Sequence, residues 1–332
     1  MTTLYLLLVF CAPPGDAREA WLAARSGLPV TTIRTIHSEP AAYLSAVKVK
    51  PVFNYLIFSP PDAEPGEERW PEWQPKLSKE WGMATCKWLF HADLFPRHPD
   101  GGYDNSGWID EEKLLPIVRK LPRGSTVCLN VETGKYGQDF WNVLQVGGVH
   151  VNQAAVANRI RLIDWLRDYN PGCRYGYYAQ VPPKYEGLVT HSFETWRRQA
   201  KDLKPLAEAA DFLLCEVYAD SDWSEEFACR YILHTASTCR HYYPDKPVYF
   251  LLWPEHADLY GQSSADYTIE NHRTRLIPPR YWRAMLEHCY MLGDGVMLWG
   301  GYKVPWNGGP WWEETEDFLI RRGVAPIKRL EE

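Results

Sequence analysis

The chain has 332 residues, 45% of them hydrophobic and 23% charged, the balance of a globular protein able to bury a large core. A formal charge of −6 argues against a nucleic-acid partner, which calls for a basic face, and no run reaches the roughly 20 apolar residues of a membrane-spanning helix. The excess is aromatic, with 16 Trp, 20 Tyr and 11 Phe: broad indole faces with one N–H suit a half-wet groove in which sugar rings stack, and a Trp-rich core is the alternative.

In chain order, residues 1–48 form an N-terminal segment with two readings. Leu4–Phe10 is either the apolar core of a signal peptide, with a secreted or periplasmic location expected, or a strand followed by a helix over Asp16–Ser26 and a strand over Val30–Ile36, with a cytoplasmic location expected. From residue 49 to 332 a single domain is expected. Its strands are Val52–Phe58, Met83–Phe90, Thr126–Glu132, Arg174–Ala179, Phe212–Tyr218, Val248–Trp253 and Gly295–Trp299. Helical patterns lie between them at Glu111–Lys120, Asn152–Tyr169, Phe193–Ala210, Ser224–Tyr243 and Arg280–Leu292, and the Pro-rich stretch Ser59–Pro75 is expected to be a loop. Strand then helix, repeated, means a parallel sheet. Seven such strands without a glycine-rich phosphate loop predict an α/β fold, a distorted TIM-type barrel.

No Cys-x-x-Cys and no His/Cys cluster of zinc spacing occurs among the eight cysteines, so neither a metal site nor a cofactor is expected. Cys128 and Cys215 lie inside apolar strands, where a buried free thiol is the expectation. Trp306, Trp311 and Trp312 follow the last strand and form either a sugar platform or the cover of the barrel. Arg197, Arg198, Arg321 and Arg322 read as solvated helix faces.

In a parallel barrel the chemistry sits at the C-terminal ends of the strands. Those ends here carry Asn130 and Glu132, Tyr177 and Tyr178, Glu216, Tyr218 and Asp220, Trp253 and Glu255, and Trp299 with Tyr302. Residues two apart on a strand share a face, so Asn130 points with Glu132, and Glu216 with Tyr218 and Asp220. A carboxyl in a half-buried aromatic mouth has its charged form disfavoured and becomes a usable general acid. Glycoside hydrolysis ordinarily uses two carboxylates, which Glu132 with Glu216, Asp220 or Glu255 would supply; in a substrate-assisted variant an N-acetyl group of the sugar is the nucleophile, and an Asn or Asp beside the acid polarises it.

Several segments together resemble the hyaluronidase family. His91-Ala92-Asp93-Leu94-Phe95-Pro96, followed by Gly101-Gly102 and Gly107-Trp108-Ile109-Asp110, resembles the segment before that family's catalytic strand. Cys128-Leu129-Asn130-Val131-Glu132 falls where the family has Asp-x-Glu. Tyr175-Gly176-Tyr177-Tyr178 is similar to its Trp-Gly-Phe/Tyr-Tyr segment, Phe212–Tyr218 to the strand ending Pro-Ser-x-Tyr, and Gly295–Gly300 to the strand ending Leu-Trp-Gly. The order of these segments, from about residue 50 to 302, covers most of the chain. The resemblance implies a distorted seven-stranded barrel, Glu132 as proton donor, Asn130 at the amide-polarising position, and Tyr178, Tyr218 and Trp299 around an N-acetyl sugar. The departure is Asn130, where hyaluronidases carry Asp. The Asn-x-Glu pair is similar to that of endo-β-N-acetylglucosaminidases, another substrate-assisted barrel family. The disulfide-forming cysteines near the vertebrate hyaluronidase site have no counterparts here, which points to a distant relative.

The expected function is therefore a glycoside hydrolase acting on an N-acetylhexosamine-containing oligo- or polysaccharide, with Trp253, Glu255, Glu216 and Asp220 as further substrate contacts. A net-negative chain repels a polyanion, which favours a neutral glycan, although Lys135, Lys184 and Arg280 would form a local basic track. The alternatives are a covalent retaining glycosidase with Glu216 or Glu255 as nucleophile, and a carbohydrate-binding barrel without catalysis.

Overall fold

A computed structural model describes residues 49–58, 60–63, 69–99, 103–104, 106–131, 138–144, 150–183, 193–257, 275–300 and 308–325. Both readings of residues 1–48 lie outside them. The strands are β1 (Val52–Leu56), β2 (Ala84–Phe90), β3 (Thr126–Asn130), β4 (Arg174–Tyr177), β5 (Leu213–Glu216), β6 (Val248–Leu252) and β7 (Gly295–Gly300). All pair in parallel, in the order β4-β3-β2-β1-β7-β6-β5. The two ends of that order meet: Tyr178 bridges Leu214, the Ala179 N–H donates to the Leu214 carbonyl at 3.1 Å, and the Asp211 N–H donates to the Tyr175 carbonyl at 2.8 Å. The sheet thus closes into the expected (β/α) barrel.

Each strand alternates its side chains between two apolar compartments. On β6, Tyr249 and Leu251 enter the barrel, while Val248, Phe250 and Leu252 face the helices. Phe53, Tyr55, Cys86, Cys128, Phe212, Leu214 and Met297 fill the interior with Tyr249 and Leu251. Gly176 of β4 has a packing reason: a Cβ there would lie 2.6 Å from the Phe212 ring and 2.7 Å from the Phe212 carbonyl oxygen. The absent side chain lets β4 and β5 approach at the seam.

The helices begin where capping chemistry allows. In α3 (Glu111–Lys120) the Asp110 carboxylate accepts from the Lys113 N–H, with acids in the first turn and Arg119 and Lys120 in the last. In α5 (Gln153–Tyr169) Asn152 caps Ala154 and Ala155, and in α8 (Glu225–Tyr242) Ser224 caps Phe227. α9 (Pro279–Leu292) matches the expected pattern to one residue. Two short helices, α2 (His91–Leu94) and α4 (Gln138–Trp141), follow β2 and β3.

Two expectations are corrected and one open alternative is decided. The stretch Ser59–Pro75 is not a loop throughout, because α1 spans Trp70–Glu80. Pro71 falls at the helix start, where a missing N–H costs nothing, and Pro75 is tolerated because β1 holds the helix from outside. Asn54, buried and on the outer face of β1, donates to the Gln74 carbonyl at 3.1 Å and to Ser78 Oγ at 2.9 Å, and its Oδ1 accepts from the Leu56 N–H at 2.9 Å. Second, the helix expected over Phe193–Ala210 is broken into α6 (Phe193–Asp202) and α7 (Lys204–Ala209). Pro205 has no N–H for the Lys201 carbonyl and clashes with it, so the chain restarts with Pro205 in a first turn. The alternative left open for the C-terminal tryptophans is decided by α10 (Pro310–Arg321), which follows the last strand and in which Trp311 and Trp312 are buried against Phe58, Trp81 and Trp282. These two indoles cover the outside of the barrel and are no sugar platform; Trp306 lies outside the described residues. Arg197 and Arg198 are exposed as expected, whereas Arg321 and Arg322 both pair with Glu287 and so tie α10 to α9.

All seven described cysteines are free, Cys128 and Cys215 among the buried ones. Burial pushes the thiols of Cys86 and Cys229 up to about 12 and those of Cys128, Cys239 and Cys289 well above their ordinary value or beyond reach of neutral pH. Two measurements follow. Asn54→Ala is expected to lower the free energy of urea unfolding by about 1–3 kcal/mol, the cost of losing hydrogen bonds to buried partners; an unchanged midpoint would show that α1 does not need this clamp. In the native protein at pH 7 the four buried thiols among these, Cys86, Cys128, Cys239 and Cys289, should resist an aromatic disulfide reagent that labels them all in denaturant, and rapid native labelling of any of the four would contradict their burial.

Candidate active site

The C-terminal mouth gathers most of the strand-end residues singled out in the sequence. Asn130 closes β3 with 5% of its surface exposed, its backbone in register with Phe90 of β2. Across β3, Leu129 pairs with Tyr177, which puts Tyr178 one step on, beside Asn130. The Tyr178 hydroxyl donates to Glu216 Oε2 at 2.5 Å, reaching over the seam from β4 to β5. Tyr218 stands two residues beyond Glu216 and its side chain hydrogen-bonds Tyr178; burial, then the neighbouring Tyr178 and Glu216, push its phenol well above the ordinary value, so it stays neutral. Asn130, Tyr178, Glu216 and Tyr218 form one wall, built by three consecutive strands.

An aromatic group makes the opposite side. Trp299 of β7 is half-buried and stacks on Tyr55 of β1, with ring centroids 5.1 Å apart and planes 11° from parallel. Trp88 of β2 lies 5.5 Å from Trp299 and 5.7 Å from Tyr178. Trp253 meets Tyr218 edge-on at 5.3 Å and donates its indole N–H to Glu255 Oε1 at 3.3 Å. Glu255 itself is fully buried. Asp220 is half-buried in the turn beyond β5, where its carbonyl accepts from the Trp223 N–H. Of the basic track, Arg280 is an exposed partner of Glu225 at 3.7 Å; Lys135 and Lys184, like Glu132 and Tyr302, lie outside the described residues. Among the described residues no group of His, Cys, Asp and Glu is arranged to hold a metal ion.

Sequence reasoning missed Tyr55 and Trp88, which looked like ordinary strand aromatics, and it missed the buried Arg159 of α5. Arg159 is 1% exposed. Its Nε donates to the Trp141 carbonyl at 2.8 Å and its Nη2 to the Val131 carbonyl at 3.0 Å. The guanidinium carbon sits 5.0 Å from the Tyr177 ring centroid, and the Tyr177 hydroxyl donates to the Arg159 carbonyl at 2.8 Å. Burial pulls the pKa down to about 10, leaving the group charged at neutral pH. Val131 directly follows Asn130, so this cation holds the backbone just beyond the end of β3. The one available signal was a charged residue on the apolar face of a helix whose neighbours Ala155, Val156, Leu162 and Ile163 are buried.

No family model and no curated relative matches the chain. The solved structures it resembles include bee venom hyaluronidase, with a TM-score of 0.55, 13% identity, and coverage of 83% of this chain and all of that one. The same enzyme in complex with a hyaluronic acid tetramer gives a TM-score of 0.52 at 12% identity, covering 85% of this chain and all of that one. The two proteins share a fold. At such identity the likeness carries the barrel and its strand order, and the site is argued from its own residues.

Arg159→Leu should lower unfolding free energy by about 2–4 kcal/mol, because two buried carbonyls lose a charge-assisted donor. A loss below about 1 kcal/mol in chemical denaturation would mean that the Val131 and Trp141 carbonyls find other donors.

Proposed function

We propose that the chain is a glycoside hydrolase that cleaves glycans containing N-acetylhexosamine by substrate-assisted, retaining catalysis at the C-terminal mouth of the barrel. The observation that carries this reading is the wall Asn130–Tyr178–Glu216–Tyr218: a neutral amide, two phenols and a buried carboxylate converge beside stacked indoles. Indole faces suit sugar rings, and convergent polar groups fix their orientation. The shared fold with bee venom hyaluronidase supports it.

In the first step Glu132 gives its proton to the glycosidic oxygen. The carbonyl oxygen of the sugar's own N-acetyl group attacks the anomeric carbon, the glycosidic C–O bond breaks, and a cyclic oxazolinium forms. Asn130 holds the acetamido group in line, donating or accepting one hydrogen bond. Glu132, now a carboxylate, takes a proton from water, whose oxygen opens the ring at the anomeric carbon, so two inversions give net retention. Asn130 brings no negative charge to offset the oxazolinium. Glu216 brings one to the same wall, and the Tyr178 hydroxyl fixes its direction. The chain's net charge favours a neutral N-acetylated glycan over a polyanion.

A second reading rests on Glu216 itself, 8% exposed and held by Tyr178. In a covalent retaining mechanism its carboxylate would attack the anomeric carbon while Glu132 protonates the leaving group. Glu255 suits that role less well, being fully buried and engaged by Trp253.

Release of reducing ends from a panel of N-acetylhexosamine polymers, hyaluronan and N-glycans separates these readings. Glu132→Gln is expected to lose about a hundredfold or more in kcat, and Asn130→Ala a comparable factor on N-acetylated substrates. Glu216→Gln keeping measurable activity supports substrate assistance, whereas loss in Glu216→Ala rescued by azide, with a glycosyl azide of inverted anomeric configuration as product, identifies a covalent nucleophile. No turnover of any glycan by the wild type, with binding retained, would leave a carbohydrate-binding barrel.

A further inference from the structure

The opposite mouth of the barrel, at the N-terminal ends of the strands, opens into a cavity of about 1000 Å³. Its lining carries six cations: Lys50, Lys87, Arg123, Arg174, Arg240 and Lys246. Among the described residues only two carboxylates, Asp245 and Asp294, share it. In a chain of net charge −6 such a local excess of positive charge is the reverse of what composition supplies.

Three of the six cations have local structural work. Arg240 pairs with Asp294 at 2.8 Å. The Lys50 ammonium donates to the carbonyls of Tyr290 at 2.7 Å and Gly293 at 2.8 Å, closing the C-terminus of α9. Lys246 does the same at the end of α7, donating to the Glu208 carbonyl at 2.7 Å and the Ala210 carbonyl at 2.6 Å. Carbonyls satisfy the donors of these two lysines and leave their charge in place. Burial lowers the pKa of Lys50 and of Lys246, against the opposing pull of Asp294 on Lys50 and of Asp211, Glu208 and Asp245 on Lys246.

The other three are Arg174, Lys87 and Arg123, and none has a carboxylate within ion-pair distance among the described residues. Arg174, exposed at the start of β4, is held by neutral hydroxyls: its Nη2 donates to Thr126 Oγ1 at 2.6 Å and its Nη1 to the Tyr249 hydroxyl at 3.3 Å. Two side-chain hydroxyls thus fix the plane of the guanidinium without neutralising it, and donors remain for an oxyanion. Lys87 on β2 and Arg123 in the turn before β3 are exposed on the same cavity.

We propose that this cavity binds an oxyanion of the phosphate class, with Arg174 as the oriented donor and Lys87 and Arg123 supplying charge. The site is independent of the glycosidase reading. The volume exceeds what a lone phosphate fills, so the occupant expected is a small molecule that bears a phosphate group.

Isothermal titration of the full chain at fixed ionic strength tests this, with inorganic phosphate, pyrophosphate, glucose 6-phosphate and neutral glucose as probes. Saturable binding of at least one phosphate-bearing probe, none by glucose, and about tenfold or greater weakening in both Arg174→Gln and Lys87→Gln are expected. Lys87 is exposed and its side chain has no hydrogen-bond partner among the described residues, so its variant tests charge alone, and Arg230→Gln, exposed on α8 and outside the cavity lining, should bind as the wild type does. Tighter binding of the ester than of phosphate identifies a phosphorylated small molecule, and the converse a free phosphate site. Absence of saturable binding by the wild type, or equal affinity in Arg174→Gln, Lys87→Gln and wild type, overturns the proposal.

Discussion

The seam between β4 and β5 is the constraint on which the rest of the structure turns. Six of the seven neighbour relations in the sheet are regular ladders; this one is a bridge at Tyr178 and Leu214, with flanking hydrogen bonds from Asp211 and Ala179. Closure here needs a residue without a side chain at Gly176, because the Phe212 ring and carbonyl occupy the space a Cβ would take. The bond from Tyr178 to Glu216 crosses the same seam one layer higher. Barrel closure and assembly of the polar wall are thus two aspects of one contact: parting β4 from β5 would open the sheet and separate the phenol from its carboxylate.

A second constraint works on β3. The Asn130 backbone is held on one side by the ladder to β2, and the chain just beyond it by the buried guanidinium of Arg159. An uncompensated cation inside a protein is costly to desolvate. It is tolerated here because two carbonyls and the face of Tyr177 surround it. The charge is spent on backbone placement, in a layer between helix and strand where apolar packing alone would leave carbonyl groups without donors.

The fold was legible because its signals are local and repeated. β6 reads Val248-Tyr249-Phe250-Leu251-Leu252, an unbroken apolar run of the kind a strand covered on both faces requires, and α3, α5 and α8 announce themselves by caps and end charges. Where reading failed, the deciding contact was distant in sequence. α1 survives Pro75 because Asn54, about twenty residues upstream, supplies bonds that no local pattern reveals. The strand-end residues of the candidate site were legible for the same reason as the strands. Partners that cross between strands, such as Tyr178 with Glu216 or Tyr55 with Trp299, were not, since pairing depends on register and on which side chains meet across the interior. Arg159 was invisible because its role is to bond carbonyls, and carbonyls carry no sequence signature.

Between the two mouths lies an apolar plug of Tyr55, Cys86, Cys128, Leu214, Leu251 and Met297, all buried. Its consequence is evolutionary. Close packing of apolar side chains separates the two rims, so a substitution at one end is expected to leave the opposite end undisturbed. A lineage carrying this barrel is then free to change what one mouth recognises while selection preserves the other, and the strands in between serve as a fixed partition that descendants with different ligands would inherit unchanged.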